Sequence, residues 1–408
     1  MFKLNRDNLA KTMTNNSLLI IFSGDTPYRS ADQKYRFTPN RNFYYLTGIK
    51  ETNIILTILK KEDVITETLY IQRENKVMEK WVGKTIDKEE ALSQSNISDI
   101  RYLDEFKIDI SSYMDRLQIE KIYLDFERQS ITLPSTLAQD QANELKVKYP
   151  YISIENIHPS ISKLRQVKHQ FEIDKIKRAI DITKEGIESM AKNIKPGMRE
   201  NEVEAYFDFT IKKLGASNHA FNTICASGKN ATILHYEDNN QVINDNELIL
   251  FDLGAEYDYY CADISRTIPI NGQFTPRQKQ IYTIVLDALK AVEKSAKPNM
   301  TLKDLNDVAK ETLAKGCLEI GLIKEENEIY KYYYHGVSHS LGLDTHDVWN
   351  YNSKLEENAV ITNEPGLYIE EESIGIRLEN DLLITKDGCI NLSKHIPIEI
   401  YEIEEIMN

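Results

Sequence analysis

At 408 residues the chain exceeds what one hydrophobic core organises, which implies about two domains, and its 41% hydrophobic and 28% charged content excludes wholesale disorder. The 64 acidic residues against 50 basic ones give a net charge of -14 with no basic stripe, which argues against a nucleic-acid partner. The strongest N-terminal apolar run, Leu18 to Phe22, is too short for a signal-peptide core or a membrane span, and the four cysteines lie far apart without a CxxC pair, so the chain reads as cytoplasmic with reduced thiols.

Along the first 160 residues, short apolar runs at Ser17 to Ser23, Asn53 to Leu59, Thr68 to Ile71 and Lys121 to Asp125 alternate with helical patterns. They predict an α/β domain with a mixed sheet over 1–160. A Pro-marked segment from Tyr149 to Pro159 leads into Lys163 to Lys192, where Ile173, Ile176, Ile180 and Ile187 recur at the spacing of one amphipathic helix. That helix opens a second domain over 161–408. Lys195-Pro196-Gly197-Met198 breaks it, Glu200 to Leu214 restarts a helix and Gly215 closes that one. Leu248 to Gly254 and Asp258 to Ile270 read as a hairpin, followed by a helix after Thr275-Pro276 and another from Leu302 to Gly316. Strands return at Ala359 to Thr362, Leu367 to Ile369, Gly375 to Glu379 and Leu382 to Thr385. The second domain is therefore expected to be α+β, with helices on one antiparallel-rich sheet.

Several polar residues in this domain sit where burial would be costly. Asp252 stands among Leu248, Ile249, Leu250, Phe251 and Leu253, and an ionised carboxylate there needs a cation. Alone, Asp252 is as readily a turn or strand-end residue. If the hairpin forms, however, Asp252 and Asp263 share one face and repel unless a cation lies between them. Glu364 directly follows an apolar strand, while Arg377 and Glu379 alternate with Ile376 and Leu378 and so share a strand face. Three of the eight histidines, His335, His339 and His346, fall within twelve positions beside Gly336 and Gly342, in a pattern that is not the HExxH zinc arrangement. One His with four carboxylates is an oxygen-rich set favouring Mn2+ and related divalent ions, and four carboxylates carry charge enough for two of them.

These segments, from Lys163 to Thr385, resemble the pita-bread catalytic domain of aminopeptidase P and prolidase and, more distantly, methionine aminopeptidase. The resemblance rests on Lys195-Pro196-Gly197-Met198 with Glu200, on Ile233-Leu234-His235-Tyr236, and on the hairpin, His, Glu364-Pro365-Gly366 and Arg377-Leu378-Glu379 segments. It implies that Asp252, Asp263, His339, Glu364 and Glu379 hold two divalent metal ions per subunit, with Asp263 and Glu379 bridging them. It also implies that Glu364 shuttles a proton and that His235, His335 and His346 surround the substrate. Arg377 either orients Glu379, meets the substrate or forms a plain ion pair. Tyr368 is a weaker candidate, because most of the 23 tyrosines must simply pack.

The first domain is similar to the N-terminal domain of the aminopeptidase P group through Arg36 to Gly48. Asn42 stands where some members carry an acid, so a contact from there to a substrate α-amino group is not expected to carry over. The resemblance implies a metallopeptidase that hydrolyses the bond between an N-terminal residue and proline, acting as a homodimer or larger assembly. An Xaa-Pro dipeptidase shares the ligand set and is the alternative. A non-catalytic binding protein would be expected to show eroded ligands, and a creatinase-like activity would do without them.

Overall fold

The structure, a computed structural model, describes residues 1–127, 130, 132–350 and 352–407. It divides into two compact units, Met1–Leu164 and Arg165–Asn408. Among the described residues no helix is long and apolar enough to cross a membrane, and no disulfide joins any of the four cysteines.

The first unit is built on a mixed six-stranded sheet, in spatial order Asp99–Tyr102, Val64–Ile71, Ile55–Lys61, Ser17–Phe22, Lys121–Leu124 and Ser153–Asn156. Ser17–Phe22 runs antiparallel to Ile55–Lys61 and parallel to Lys121–Leu124. It is buried at five successive positions, as a strand covered on both faces must be, which explains why its sequence is an unbroken apolar run. Val64–Ile71 starts earlier than its apolar pattern indicates because its first half is exposed. There the register is set instead by a two-residue turn, with Glu62 and Asp63 both at positive φ and Lys61 paired with Val64. Asn42 is buried, and its amide donates to Asp125 Oδ2 at 2.8 Å, beside His158 Nδ1 at 3.2 Å.

The expected helix from Lys163 to Lys192 is interrupted. His158–Gln166 and Gln170–Asn193 are separate helices, because at the break the Lys168 N–H turns to the Asn358 carbonyl and Glu172 reaches back to the His169 N–H at 2.9 Å. Ile173, Ile176, Ile180 and Ile187 are buried along Gln170–Asn193, which packs on Glu200–Lys213. Thr275 caps Pro276–Ser295, whose Val292 shares a core with Leu305 and Ala309 of Leu302–Glu319 and with Ile361, Leu382 and Ile384. This last helix continues past Gly316, the expected end.

Among the described residues the strands of the second unit form four small antiparallel sheets, three of three strands and one of two, instead of one sheet. Val360–Asn363 pairs with Asn380–Ile384, while Gly366–Ile369 pairs with Ile374–Arg377. The handover falls at Glu364-Pro365 on one side and Leu378-Glu379 on the other. Pro365 has no N–H to give a ladder, so a continuous pair could not form through it. The expected strand Gly375 to Glu379 accordingly ends at Arg377.

Candidate metal centre

The site grows from the strand Leu248–Leu253, which pairs antiparallel with Ile264–Pro269 so that Asp252 lies opposite Ser265. Side chains alternate along a strand, so Asp263, two residues before Ser265, falls on the same face as Asp252. Gly254 permits the close approach of these chains, because a Cβ there would lie 1.8 Å from the Ala262 carbonyl oxygen. The break at Pro365 places two more carboxylates against this face. Glu379 is fixed by its N–H on the Ser265 carbonyl and by the Ser265 hydroxyl, which donates to Oε2 at 2.8 Å. Glu364 is held by its N–H on the Val337 carbonyl.

His339 is pinned to Val360–Asn363 by backbone and hydroxyl bonds to Thr362. Its Nδ1 lies 3.0 Å from the Ser340 carbonyl, which can only accept, so Nδ1 carries a proton and Nε2 is the ring nitrogen turned to the acids. Nε2 faces Asp263 Oδ2 at 3.3 Å and Glu364 Oε1 at 3.5 Å. Ligand atoms of Asp263, His339 and Glu379 all lie within 4.8 Å of one another.

The electrostatics show how crowded these acids are. Burial raises the Asp263 carboxyl well above its usual range, and Asp252, Asp381 and Glu364 raise it further. Burial followed by Asp263, Glu364 and Asp252 does the same to Glu379. Glu364 is also raised, by burial first, although His339 and Arg377 oppose this. Arg377 is the permanent cation facing the cluster: Nη2 donates to Asp252 Oδ2 at 2.6 Å, Nε to Ser265 Oγ at 3.0 Å and Nη1 to the Tyr368 hydroxyl at 3.0 Å. Asp252 Oδ1 is buried without a hydrogen-bond partner. Four carboxylates, one of them with an orphaned oxygen, outnumber the guanidinium of Arg377 and that of Arg266, whose Nη1 donates to the Glu379 carbonyl at 2.6 Å, and together with the His339 imidazole this donor set fits hard divalent cations.

Around this group, His335 Nδ1 lies 2.8 Å from the Gly336 carbonyl and Nε2 lies 2.8 Å from the Tyr368 hydroxyl. Arg377 can only donate, so the Tyr368 oxygen accepts from it and passes its own proton to His335 Nε2. The His346 ring centroid is 4.2 Å from that of His339. Burial pushes both His335 and His346 down to about 4, which keeps them neutral at ordinary pH. His235 is exposed. The segment carrying His346 is tied down by Asp347, whose carboxylate meets Arg165 at 2.5 Å and Lys168 at 2.9 Å, while Arg165 also meets Asp344 at 2.7 Å.

Sequence reasoning ranked Tyr368 low, yet its hydroxyl joins His335 to Arg377. It missed Ser265, which lies between Arg377 and Glu379, and Asp381, whose Oδ2 accepts the Asp263 N–H at 3.3 Å. The position of Ser265, two residues after Asp263, was the available signal for the first. Nothing local distinguishes Asp381.

Residues 174–386 match metallopeptidase family M24, and residues 2–123 match the aminopeptidase P N-terminal domain. The chain is 32% identical to the Xaa-Pro aminopeptidase of Haemophilus influenzae, covering 100% of this chain and 97% of that one. Among solved structures it is similar to a Bacillus anthracis protein assigned as an aminopeptidase P, at 52% identity and a TM-score of 0.98, covering 100% and 97% of the two chains. Escherichia coli aminopeptidase P with the inhibitor Pro-Leu gives 29% identity and a TM-score of 0.92 over the same shares.

Proposed function

The chain belongs to metallopeptidase family M24, and on that premise we propose that it is a metal-dependent Xaa-Pro aminopeptidase whose ions are held by Asp252, Asp263, His339, Glu364 and Glu379. The observation that carries this reading is the buried, mutually repelling carboxylate cluster with the orphaned Asp252 oxygen, whose four acids outnumber the guanidinium groups of Arg377 and Arg266 beside them. The ion count proposed is two per subunit, and the oxygen-rich donors favour Mn2+. Bound there, divalent ions lower the pKa of a water towards neutrality and polarise the scissile carbonyl.

The residues of the chain supply the rest. Glu364, raised above the usual carboxylate range and 3.8 Å from His335 Nδ1, takes a proton from the attacking water and delivers it to the leaving proline nitrogen. His346, a neutral donor, and His235 beside it stabilise the oxyanion that develops on the carbonyl. His335, locked by Tyr368 and Gly336, walls the proline pocket. Arg377 holds Asp252 and, through Ser265, the Glu379 carboxylate in line.

The proposed division of labour is an N-terminal domain over 1–160 and a catalytic domain over 161–408. The substrates are peptides with proline in second place. A homodimer or larger assembly is in keeping with the exposed Val77, Met78, Trp81 and Val82, and a cytoplasmic setting with four cysteines that form no disulfide among the described residues.

The test is hydrolysis of Xaa-Pro and Xaa-Pro-Xaa peptides by metal-stripped protein, before and after adding Mn2+, with Xaa-Ala peptides as controls. Metal-dependent cleavage of the tripeptide is expected. Cleavage of the dipeptide alone would assign an Xaa-Pro dipeptidase instead, and no cleavage by folded, metal-loaded protein would overturn the reading.

A further inference from the structure

We propose that Glu200 is the positioning residue for His235, acting through the segment 227–241 that its buried carboxylate gathers; the inference rests on the reading of His235 as a substrate-facing group. Glu200 opens the helix Glu200–Lys213 and is fully buried. Its Oε1 accepts from the Ser227 N–H at 2.8 Å, the Ser227 hydroxyl at 2.7 Å and the Asn230 amide at 3.1 Å. Its Oε2 accepts from the Tyr236 hydroxyl at 2.8 Å and the Gln241 N–H at 3.0 Å. Among the described residues no Lys, Arg or His forms an ion pair with this carboxylate, so its hydrogen-bond partners are these donors.

Both oxygens of a carboxylate accept, and that is what donors converging from two sides require. A glutamine would turn its NH2 towards either the Ser227 N–H or the Gln241 N–H, setting donor against donor. An apolar residue would leave all of these groups buried and unpaired. The chemistry of position 200 is therefore matched to the shape of segment 227–241 and not merely to filling space.

His235 lies within that segment, one residue before Tyr236. Among the described residues its ring makes no hydrogen bond, so its aim depends on the backbone beneath it. That backbone is clamped at Ser227 and Asn230 on one side and at Tyr236 and Gln241 on the other, all by Glu200. The turn Gly228–Thr232 is braced further against the strand ending at Arg377, where a Cβ on Gly375 would lie 2.0 Å from the Ala231 carbonyl oxygen, and by the Tyr334 hydroxyl on the Thr232 carbonyl at 3.0 Å. Displacements of about 1 Å at a catalytic group cost on the order of 100-fold in rate.

The experiment is a double-mutant cycle on the full chain with Glu200→Gln, His235→Ala and the pair, reading kcat and KM on an Xaa-Pro-Xaa peptide at saturating Mn2+, with bound metal counted. Hydrogen exchange of 227–241 in the metal-stripped protein supplies a readout independent of turnover. Glu200→Gln is expected to lower kcat about 10- to 100-fold at unchanged metal content, to speed exchange in 227–241, and to add less than about 2-fold to His235→Ala. Losses that multiply, or a parental kcat for Glu200→Gln beside an impaired His235→Ala, overturn the positioning role while leaving the function of His235 intact. Parental activity of His235→Ala overturns both readings. Should Glu200→Gln fail to fold, Tyr236→Phe and Ser227→Ala run the same cycle, with smaller losses that His235→Ala again masks.

Discussion

Replacing Asp347 with Asn should destabilise the catalytic unit strongly, because it removes the anion from a buried network without removing its cations. The side chains of Asp347, Arg165 and Lys168 are each only 1% exposed. An Asn carbonyl can accept from one cation, but its NH2 then faces the donors of the other. Breaking a buried ion pair by deleting one partner costs roughly 3–5 kcal/mol. Arg165 keeps Asp344, whose side chain is 34% exposed, so the lower end applies. At about 2–4 °C per kcal/mol for a unit of this size, about 3 kcal/mol lowers Tm by roughly 6–12 °C. Burial alone would raise the Asp347 carboxyl, but Arg165 and Lys168 pull it below its ordinary value of 3.8. A depressed pKa stabilises fully above the ordinary value and ceases to do so as pH falls through the folded one, so the deficit of Asp347→Asn should shrink below about pH 4. Calorimetry of parent and variant from neutral to acid pH measures both effects. A Tm within about 2 °C of the parent, or a deficit that persists unchanged into strong acid, would refute the reasoning.

Glu364→Gln should lower kcat by about 100- to 10,000-fold at saturating metal while a product-like peptide still binds, which steady-state kinetics with inhibition by Xaa-Pro can resolve. Arg377→Lys keeps the charge but cannot meet Asp252, Ser265 and Tyr368 together, so kcat/KM should fall about 10- to 100-fold with a near-parental Tm. His335 is held to about 4 in the folded chain, against 6.5 when unperturbed. The unfolded chain therefore binds the extra proton between those values, and metal-stripped protein should lose stability as pH falls through that window. Urea titrations at neutral pH and at about pH 5 should show a smaller loss for His335→Gln, and an equal loss would reject the assignment.

By itself the sequence determined the elements whose pattern is local. The isoleucines of Gln170–Asn193 repeat at the helical period because one face is buried along the whole length. Asp252 and Asp263 among apolar neighbours were conspicuous because burial makes such acids costly, and strand geometry puts both on one face once the two runs pair. What only the tertiary structure decided lies in contacts between distant segments. The interruption at Val167 to His169 depends on the Asn358 carbonyl, which no helical periodicity could report. Tyr368, one tyrosine among many, became part of the site through its position between His335 and Arg377. Asp381 carries no local signature, and Glu200 only its place after Lys195-Pro196-Gly197-Met198, because the meaning of both is the set of donors that folding brings to them. Periodicity records which face of an element is buried, whereas the partner of a buried polar group is chosen by segments tens of residues away, and that choice exists only once the chain has folded.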